Sequence, residues 1–434
     1  MRAGWKFKGS GTLENINMLD KIKRLTNTED KRRLLSNFMS LSVLQGANYV
    51  LPLITLPYLV RVLGPEKYGL IAFAQAFIQY FNILTDYGFN LSATREISIH
   101  RDNAQKVSEI FSSVMIIKFC LFVLSFVIMS IIVFSFWKFR QDWPIYYLTF
   151  GMVVGQLLFP VWFFQGMEKM KYITFLNITS RLIFTFAIFV FIRQTSDYIY
   201  VPLLNLFGYL VAGALALWIV FKGFKVGFKV PSYASLIHQL KEGWYIFISQ
   251  VAISGYNSSR LFAVGLFTDN TITGYYAIAE KLMNVVQTFP LASLVQSLYP
   301  RLSNIYSESK EHARSLMNRF QNLTTIIYLI GLPIIYFLAP LIIKVVAGYP
   351  YPEAILAFRL LLFAIFFTNA NAFRVHFLLV SGKYSVYSRI HVIMGIGGFI
   401  LTFLMTYFFS FIGTVISLIA IEFIILILTL KYSK

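Results

Sequence analysis

Long apolar stretches separated by short polar ones recur along nearly the whole sequence. Each stretch lasts about twenty residues or more, which is the length that an α-helix needs to cross a bilayer. They predict twelve transmembrane helices, at 37–60, 69–94, 109–136, 144–166, 172–192, 199–221, 244–267, 272–299, 320–343, 355–380, 389–409 and 411–430. The stretches are continuous, without the alternation typical of a transmembrane β-barrel. We therefore expect an all-α polytopic membrane protein.

The composition supports this class and excludes others. Charged residues make up 13% of the 434 positions, about half of the roughly 25% usual in soluble domains. The single cysteine, Cys120, excludes a disulfide framework, and its apolar surroundings predict a buried position. The five histidines form no metal-binding pattern, so we expect no cofactor. The net charge of +19 sits mostly in short loops between spans, which argues against a nucleic-acid partner.

The distribution of positive charge predicts the orientation. With the N-terminus inside, 26 Lys and Arg residues fall on cytoplasmic segments and 6 on the opposite side, so both termini should be cytoplasmic. Residues 1–36 contain no apolar core of a signal peptide and are interpreted as a cytoplasmic tail. The external loops have about ten residues or fewer, which leaves no room for an external catalytic site. We therefore expect a protein that is not an enzyme.

An internal repeat relates the two halves at an offset of 205 residues between residues 45 and 82. Small and polar positions match, including Gly69 with Gly274, Gln75 with Glu280, and Gln79 with Asn284. Polar matches carry weight because polar groups are costly inside a span. Six spans per half predict two pseudo-symmetric six-helix bundles around a central cavity, as in alternating-access transporters. The predicted units are a tail at 1–36, bundles at 37–221 and 244–434, and a cytoplasmic linker at 222–243.

A polar stripe runs along the second predicted span. Its five members fall within an arc of about 80° on a helix: Gln75, Gln79, Asn82, Asp86 and Asn90. Such a stripe avoids lipid, so it faces either another helix or a water-filled cavity. Five aligned polar residues exceed what a helix contact needs, and we favour the cavity. Asp86 is either a proton or sodium relay or the partner of an arginine.

Cations outnumber anions inside the predicted spans. The six cations are Lys118, Arg181, Arg260, Lys281, Arg359 and Arg374, and the three anions are Asp86, Glu280 and Glu422. Unpaired buried charge is strongly unfavourable, so the excess predicts an anionic substrate that supplies the missing counter-charge. Arginine suits phosphate especially well because its planar guanidinium donates two parallel hydrogen bonds. Lys118 and Arg359 lie near span ends, where their side chains are expected to reach the interface.

Three segments carry a resemblance to a known family. The run from Leu51 to Gly69 (LPLITLPYLVRVLGPEKYG) resembles the first-span signature of the Wzx polysaccharide flippases, as do Leu84–Phe89 (LTDYGF) and Ala93–Ile97 (ATREI). These flippases belong to the multidrug/oligosaccharidyl-lipid/polysaccharide exporter superfamily. The resemblance is specific over residues 40–100 and extends through spacing and topology over about 37–431.

The resemblance implies a flippase of the bacterial inner membrane. Such a protein would move undecaprenyl-diphosphate-linked O-antigen units from the cytoplasmic to the periplasmic leaflet by alternating access. It would be coupled to a proton or sodium gradient, with Asp86 and Glu280 as candidates. Membrane lipid, and the polymerase and chain-length regulator of the same pathway, are expected partners. The candidate substrate-binding residues are Arg181, Arg260, Arg374, Lys281, Gln79, Asn82, Asn177, Asn257, Asn284 and Asn371.

Two alternatives remain at this stage. A multidrug exporter of the same superfamily would carry cationic drugs and should have an acidic interior, which the excess of cations argues against. An O-antigen polymerase of the same pathway would be an enzyme with a substantial external loop, which this chain lacks.

Overall fold

The computed structural model describes residues 29–432, without the side chains at 29–36, 38, 41, 42, 49, 253, 255–257, 289–301, 303, 304, 307 and 384. The described chain is helical almost throughout, and residues 29–432 contain no strand. The α-helices are α1 (Glu29–Asp86), α2 (Phe89–His100), α3 (Ala104–Ser135), α4 (Trp137–Arg140), α5 (Trp143–Thr149), α6 (Gly151–Leu158), α7 (Val161–Gly166), α8 (Met170–Phe191), α9 (Tyr200–Trp218), α10 (Tyr233–Phe267), α11 (Asn270–Glu308), α12 (Lys310–Ala347), α13 (Pro352–Val380) and α14 (Tyr384–Tyr432). A 3₁₀ turn precedes α9, at Thr195–Ile199, and a π turn follows it, at Ile219–Gly223.

Eight helical segments within the described residues are long and apolar enough to cross a membrane. Two of them are far longer than one crossing requires. The segment Val43–His100 has 58 residues, or about 87 Å of helix against a hydrocarbon core of about 30 Å. The segment Ser385–Tyr432 has 48 residues. The predicted tail at 1–36 lies mostly outside the described residues, and its last part, from Glu29, belongs to α1.

Both long helices contain a break where the sequence predicts a loop between spans. In α1 the break is at Gly64, whose φ of 74° and ψ of 167° are accessible to glycine but not to other residues without strain. In α14 the break is at Phe409 and Ser410, and Ser410 has a φ of 55°. The predicted boundary at residue 410 therefore coincides with the bend.

Two other predicted elements differ in detail. The fourth predicted span, 144–166, is divided into α5, α6 and α7. Between α6 and α7 the chain leaves helical geometry at Phe159 and Pro160. Pro160 has no N–H to continue the helical hydrogen bonding. The predicted linker 222–243 is non-helical only up to Ser232, after which α10 begins and runs unbroken to Phe267.

The two halves of the chain meet closely where α1 crosses α11. A Cβ atom on Gly69 would lie 1.9 Å from the carbonyl oxygen of Asn270, and one on Gly274 would lie 2.0 Å from that of Pro65. Only glycine permits so close an approach of two helix backbones. The two glycines are also equivalent positions of the internal repeat.

Two side chains bridge the halves beside this crossing. Lys138, in α4, donates from Nζ to the carbonyl oxygens of Leu266 at 3.1 Å and Thr268 at 2.6 Å. Arg61, near the break in α1, donates to the carbonyl oxygen of Val345 in α12. In the predicted orientation all these contacts lie at the external end of the bundle. We refer to the crossing and these two bridges as the external closure.

Candidate functional site

The polar stripe of α1 faces a cavity of about 520 Å³, here called cavity A. Four members of the predicted stripe line it: Gln79, Asn82, Asp86 and Asn90. Other polar walls come from Gln156 of α6, Asn177 of α8, and Gln250 and Ser254 of α10. Of the two interpretations of the stripe, the cavity is therefore the correct one. The amide of Asn82 donates to Oε1 of Gln79 at 3.2 Å, so these two side chains order each other.

Asp86 is the charged centre of cavity A. Its side chain is 8% exposed, and its Oδ1 accepts hydrogen bonds from Asn90 at 2.8 Å and Gln156 at 3.0 Å. Nζ of Lys118 lies 3.8 Å from the same oxygen and donates to the carbonyl oxygen of Gln156 at 2.9 Å. The buried carboxylate is therefore compensated by a lysine, and not by an arginine.

A second cavity, of about 180 Å³ and here called cavity B, continues from the first. The two share Asn177, Ser180 and Tyr209 as lining residues. Cavity B brings together Arg181, from α8, and Lys281, which projects from α11 of the other half of the chain. Neither cation forms a salt bridge within the described part of the chain. Two cations from opposite halves thus line one space whose described lining contains no acidic residue.

A third cavity, of about 450 Å³ and here called cavity C, lies among helices of the C-terminal half. Its lining includes three predicted residues, Arg260, Glu280 and Asn284. Nε of Arg260 donates to Oε1 of Glu280 at 3.1 Å, and both side chains are largely buried. Glu422 lines the same cavity and accepts a hydrogen bond of 2.7 Å from Asn371. Cavity C therefore carries one cation and two carboxylates.

The remaining predicted residues lie elsewhere. Arg374 is half-buried and donates to the carbonyl oxygen of Ala370 at 2.5 Å, one turn back along its own helix. The side chain of Asn257 lies outside the described residues. The structure thus brings Arg181 together with Lys281 but not with Arg374, and Arg260 lines a different cavity.

Two sequence expectations are corrected by the structure. Lys118 does not reach the interface, because its side chain is 1% exposed and paired with Asp86. Arg359 is half-buried: its Nε donates to the carbonyl oxygen of Tyr336 at 3.1 Å, and its guanidinium lies 4.7 Å from the ring centroid of the same residue. Cys120 is exposed on α3, so the prediction of a buried cysteine is wrong. Apolar surroundings in sequence do not distinguish a lipid-facing position from the core.

Sequence reasoning missed Gln156, which donates to Asp86 and bridges it to Lys118 through its own carbonyl oxygen. A glutamine inside a predicted apolar span was a usable signal, because amides are costly there. Cavity B is the cationic part of this system, whereas the described linings of cavities A and C contain more carboxylates than cations. The two cations of cavity B fit binding of a polar, anionic group.

Comparison with solved structures identifies the fold. The chain superposes on the inward-facing conformation of a multidrug resistance MATE family transporter of the MOP superfamily with a TM-score of 0.69 at 13% identity, over 91% of this chain and 98% of that one. It superposes equally well, at 0.69 and 13% identity, on the lipid II flippase MurJ in an inward closed conformation, over 90% and 87% of the two chains. The chain therefore has the fold that these two membrane proteins share.

Sequence comparison then gives the family. The family model described as polysaccharide biosynthesis protein matches residues 34–306. A protein of Escherichia coli (strain K12) described as an O-antigen transporter is 30% identical over 406 residues, which cover 93% of this chain and 98% of that protein. The chain belongs to this polysaccharide biosynthesis family, and the resemblance seen in the sequence is confirmed.

Proposed function

We propose that the protein is a flippase for lipid-linked polysaccharide units. It would carry undecaprenyl-diphosphate-linked O-antigen units from the cytoplasmic to the periplasmic leaflet of the bacterial inner membrane. Family membership and the O-antigen transporter relative support the substrate class. The observation that carries the proposal is cavity B, where Arg181 and Lys281 face one polar space from opposite halves of the chain.

The substrate would bind with its diphosphate between these two cations. A diphosphate supplies the negative charge that the described part of cavity B lacks, and arginine can hold a phosphate through two hydrogen bonds. The amides of Gln79, Asn82 and Asn177 line the continuous path from cavity A and would meet the sugars. Arg260, Arg374, Asn257, Asn284 and Asn371 remain proposed contacts of the C-terminal half.

The proposed topology has twelve spans, six in each half, with both termini in the cytoplasm. The excess of Lys and Arg on the segments assigned to the cytoplasm supports this orientation. The breaks at Gly64 and Ser410 support dividing each of the two longest helices into two spans. The halves would be 37–221 and 244–434, with 222–243 between them.

Alternating access would move the head group. In the proposed orientation, cavity A lies toward the cytoplasm and cavity B lies deeper, below the external closure. The head group would enter through cavity A, and the external closure would then open while the cytoplasmic side closes. No covalent bond is made or broken in this cycle, so no enzyme activity is proposed.

Ion coupling would act through a buried carboxylate. Asp86 and Glu280 are candidates because each is a buried carboxylate at a cavity and each is paired with one cation. Binding of a proton or sodium ion to either carboxylate would weaken its pair with Lys118 or Arg260. The freed cation could then change its partner, which is a simple way to link ion binding to a change of conformation.

The experiment is complementation of a deletion strain with Arg181→Ala and Lys281→Ala variants. We expect loss of long-chain surface polysaccharide and accumulation of complete lipid-linked units in the cytoplasmic leaflet, at a normal amount of protein in the membrane. Arg193→Ala is the matched control, because Arg193 is exposed and its guanidinium donates to the carbonyl oxygen of Val190, three residues earlier in the chain.

Two outcomes would contradict the proposal. Normal transport by both cavity B variants would refute the role of the two cations. Single units that reach the periplasm but stay unpolymerised in the deletion strain would identify a polymerase instead of a flippase.

A further inference from the structure

One face of α12 is polar near the N-terminus of the helix and apolar farther along. Toward its N-terminus, a groove of about 810 Å³ is lined by polar residues that include Arg314, Asn318, Arg319 and Asn322. Farther along, a groove of about 290 Å³ is almost wholly apolar and is lined by α12 and α13. We call the first the head groove and the second the tail groove. Neither belongs to cavities A, B or C.

The two grooves lie on the same side of the helix. At 100° per residue, the mean directions of their α12 lining residues differ by only about 40°. The head groove ends at Leu323 and Ile326, and the tail groove begins at Tyr328 and Leu329, so little of the helix separates them. Together they form a continuous track with a polar end and an apolar end.

The polar end carries a positive charge available to a ligand. Arg314 and Arg319 are exposed, and neither forms a salt bridge within the described residues. Glu311 also lines the head groove, and its carboxylate accepts a hydrogen bond of 3.3 Å from the hydroxyl of Ser309. Two guanidinium groups against one carboxylate favour an anion, and the fork of donors suits phosphate.

The apolar end extends beyond the reach of an ordinary phospholipid tail. Its walls include Leu329, Pro333 and Phe337 of α12 and Phe363 and Phe366 of α13. Phe337 is 18 residues beyond Arg319, or about 27 Å along the helix. One leaflet accounts for only about 15 Å of the hydrocarbon core. A lipid with its head group at Arg319 would need a chain longer than one leaflet to fill the tail groove.

We propose that this track is a docking site for the polyprenyl diphosphate carrier of the substrate, used on the cytoplasmic leaflet before the head group enters cavity A. The inference rests on the proposed function, since it assumes a lipid-linked substrate. Arg314 and Arg319 hold the diphosphate, and the isoprenoid chain lies along α12 into the tail groove. The site keeps the carrier at the side of the C-terminal half while the sugars are still in the cytoplasm.

The test measures binding of undecaprenyl diphosphate to the purified full-length protein in nanodiscs, in an Arg181→Ala/Lys281→Ala background so that cavity B does not contribute to the binding. Replacing both Arg314 and Arg319 by Ala should weaken binding about tenfold or more, because two charge-assisted contacts are lost. Lys310→Ala is the control at the same end of α12. Leu329→Trp should also weaken binding, because the indole fills the tail groove, whereas Ile330→Trp should not. Leu329 and Ile330 are matched neighbours, 62% and 60% exposed, and only Leu329 lines the groove.

Two further probes identify the ligand. Geranyl diphosphate, which is too short to reach the tail groove, should respond to the arginine changes but not to Leu329→Trp. Phosphatidylglycerol should compete poorly; equal competition would mean an ordinary phospholipid site and would overturn the proposal. Unchanged binding of undecaprenyl diphosphate by the arginine double variant would also overturn it. If Arg181→Ala still abolishes transport in that case, the proposed function stands without this docking site.

Discussion

Asp86 and Lys118 form a buried ion pair in which each charge compensates the other. Both side chains are under 10% exposed, and Gln156 bonds to both residues. Removing one member of a buried pair is costly because it leaves the other charge uncompensated, whereas replacing both by uncharged groups often costs little. This asymmetry separates a structural role of the pair from a role in transport.

We predict that Lys118→Met alone lowers the free energy of unfolding by about 3–5 kcal/mol. In the double variant Lys118→Met/Asp86→Asn, most of the lost free energy of unfolding should be restored. Thermal unfolding of the detergent-solubilised variants measures both effects. If Asp86 couples ions to transport, the double variant should be folded but inactive. A double variant that is stable and fully active would show that the pair serves only packing.

The pairing of buried charges could not be read from the sequence. Helical spacing identified the stripe that contains Asp86, because spacing within one helix depends only on the helix itself. Lys118 lies on α3, and its distance from Asp86 depends on how α3 packs beside α1. For the same reason, the sequence placed Arg260 among the candidate substrate-binding residues but did not indicate its pairing with Glu280 on α11.

At the scale of elements, the crossing of α1 and α11 controls how closely the two halves approach. The sequence predicted several helix ends closely, including Phe267 and Val380, because apolar length and flanking polar residues mark them directly. It did not predict the polar extensions of helices beyond the spans, such as the start of α10 at Tyr233 and of α12 at Lys310. It also predicted that Gly69 and Gly274 occupy equivalent positions. The sequence did not indicate that the two glycines are in contact, because a contact between helices far apart in the chain produces no periodic pattern.

We predict that Gly69→Ala loosens the external closure. The added Cβ would lie 1.9 Å from a backbone oxygen of α11, so the helices must separate. In a Cys120→Ala background, a Gln75→Cys reporter in cavity B should then react severalfold faster with an external maleimide. Gly331→Ala is the control, because no atom lies within 4 Å of its added Cβ. An unchanged or slower reaction would count against the closure.

At the scale of the whole molecule, the orientation in the membrane determines which way the cavities open. If the N-terminus is cytoplasmic, the loop containing Asp102 is inside and the loop containing Gln141 is outside. Both residues are exposed, so a cysteine at either position is available to a reagent. The positions are thus a matched pair of reporters on opposite faces.

We predict that, in the Cys120→Ala background, Gln141→Cys reacts with a membrane-impermeant maleimide in spheroplasts, whereas Asp102→Cys reacts only after the membrane is permeabilised. The positive-inside distribution of Lys and Arg is the physical reason. The reverse labelling pattern would invert the topology, and cavity A would then open to the periplasm.

The contact between Gly69 and Gly274 has a consequence for the history of the chain. In the proposed two-half arrangement, the axis runs along the membrane normal, so these glycines are the same residue of one repeated unit meeting itself. A six-span ancestor could have made this contact as a symmetric homodimer, in which any single substitution altered both sides at once. Fusion of two copies into one gene would remove that constraint. Each side could then diverge independently, and the match of Gln75 with Glu280 is one such difference within the repeated segment.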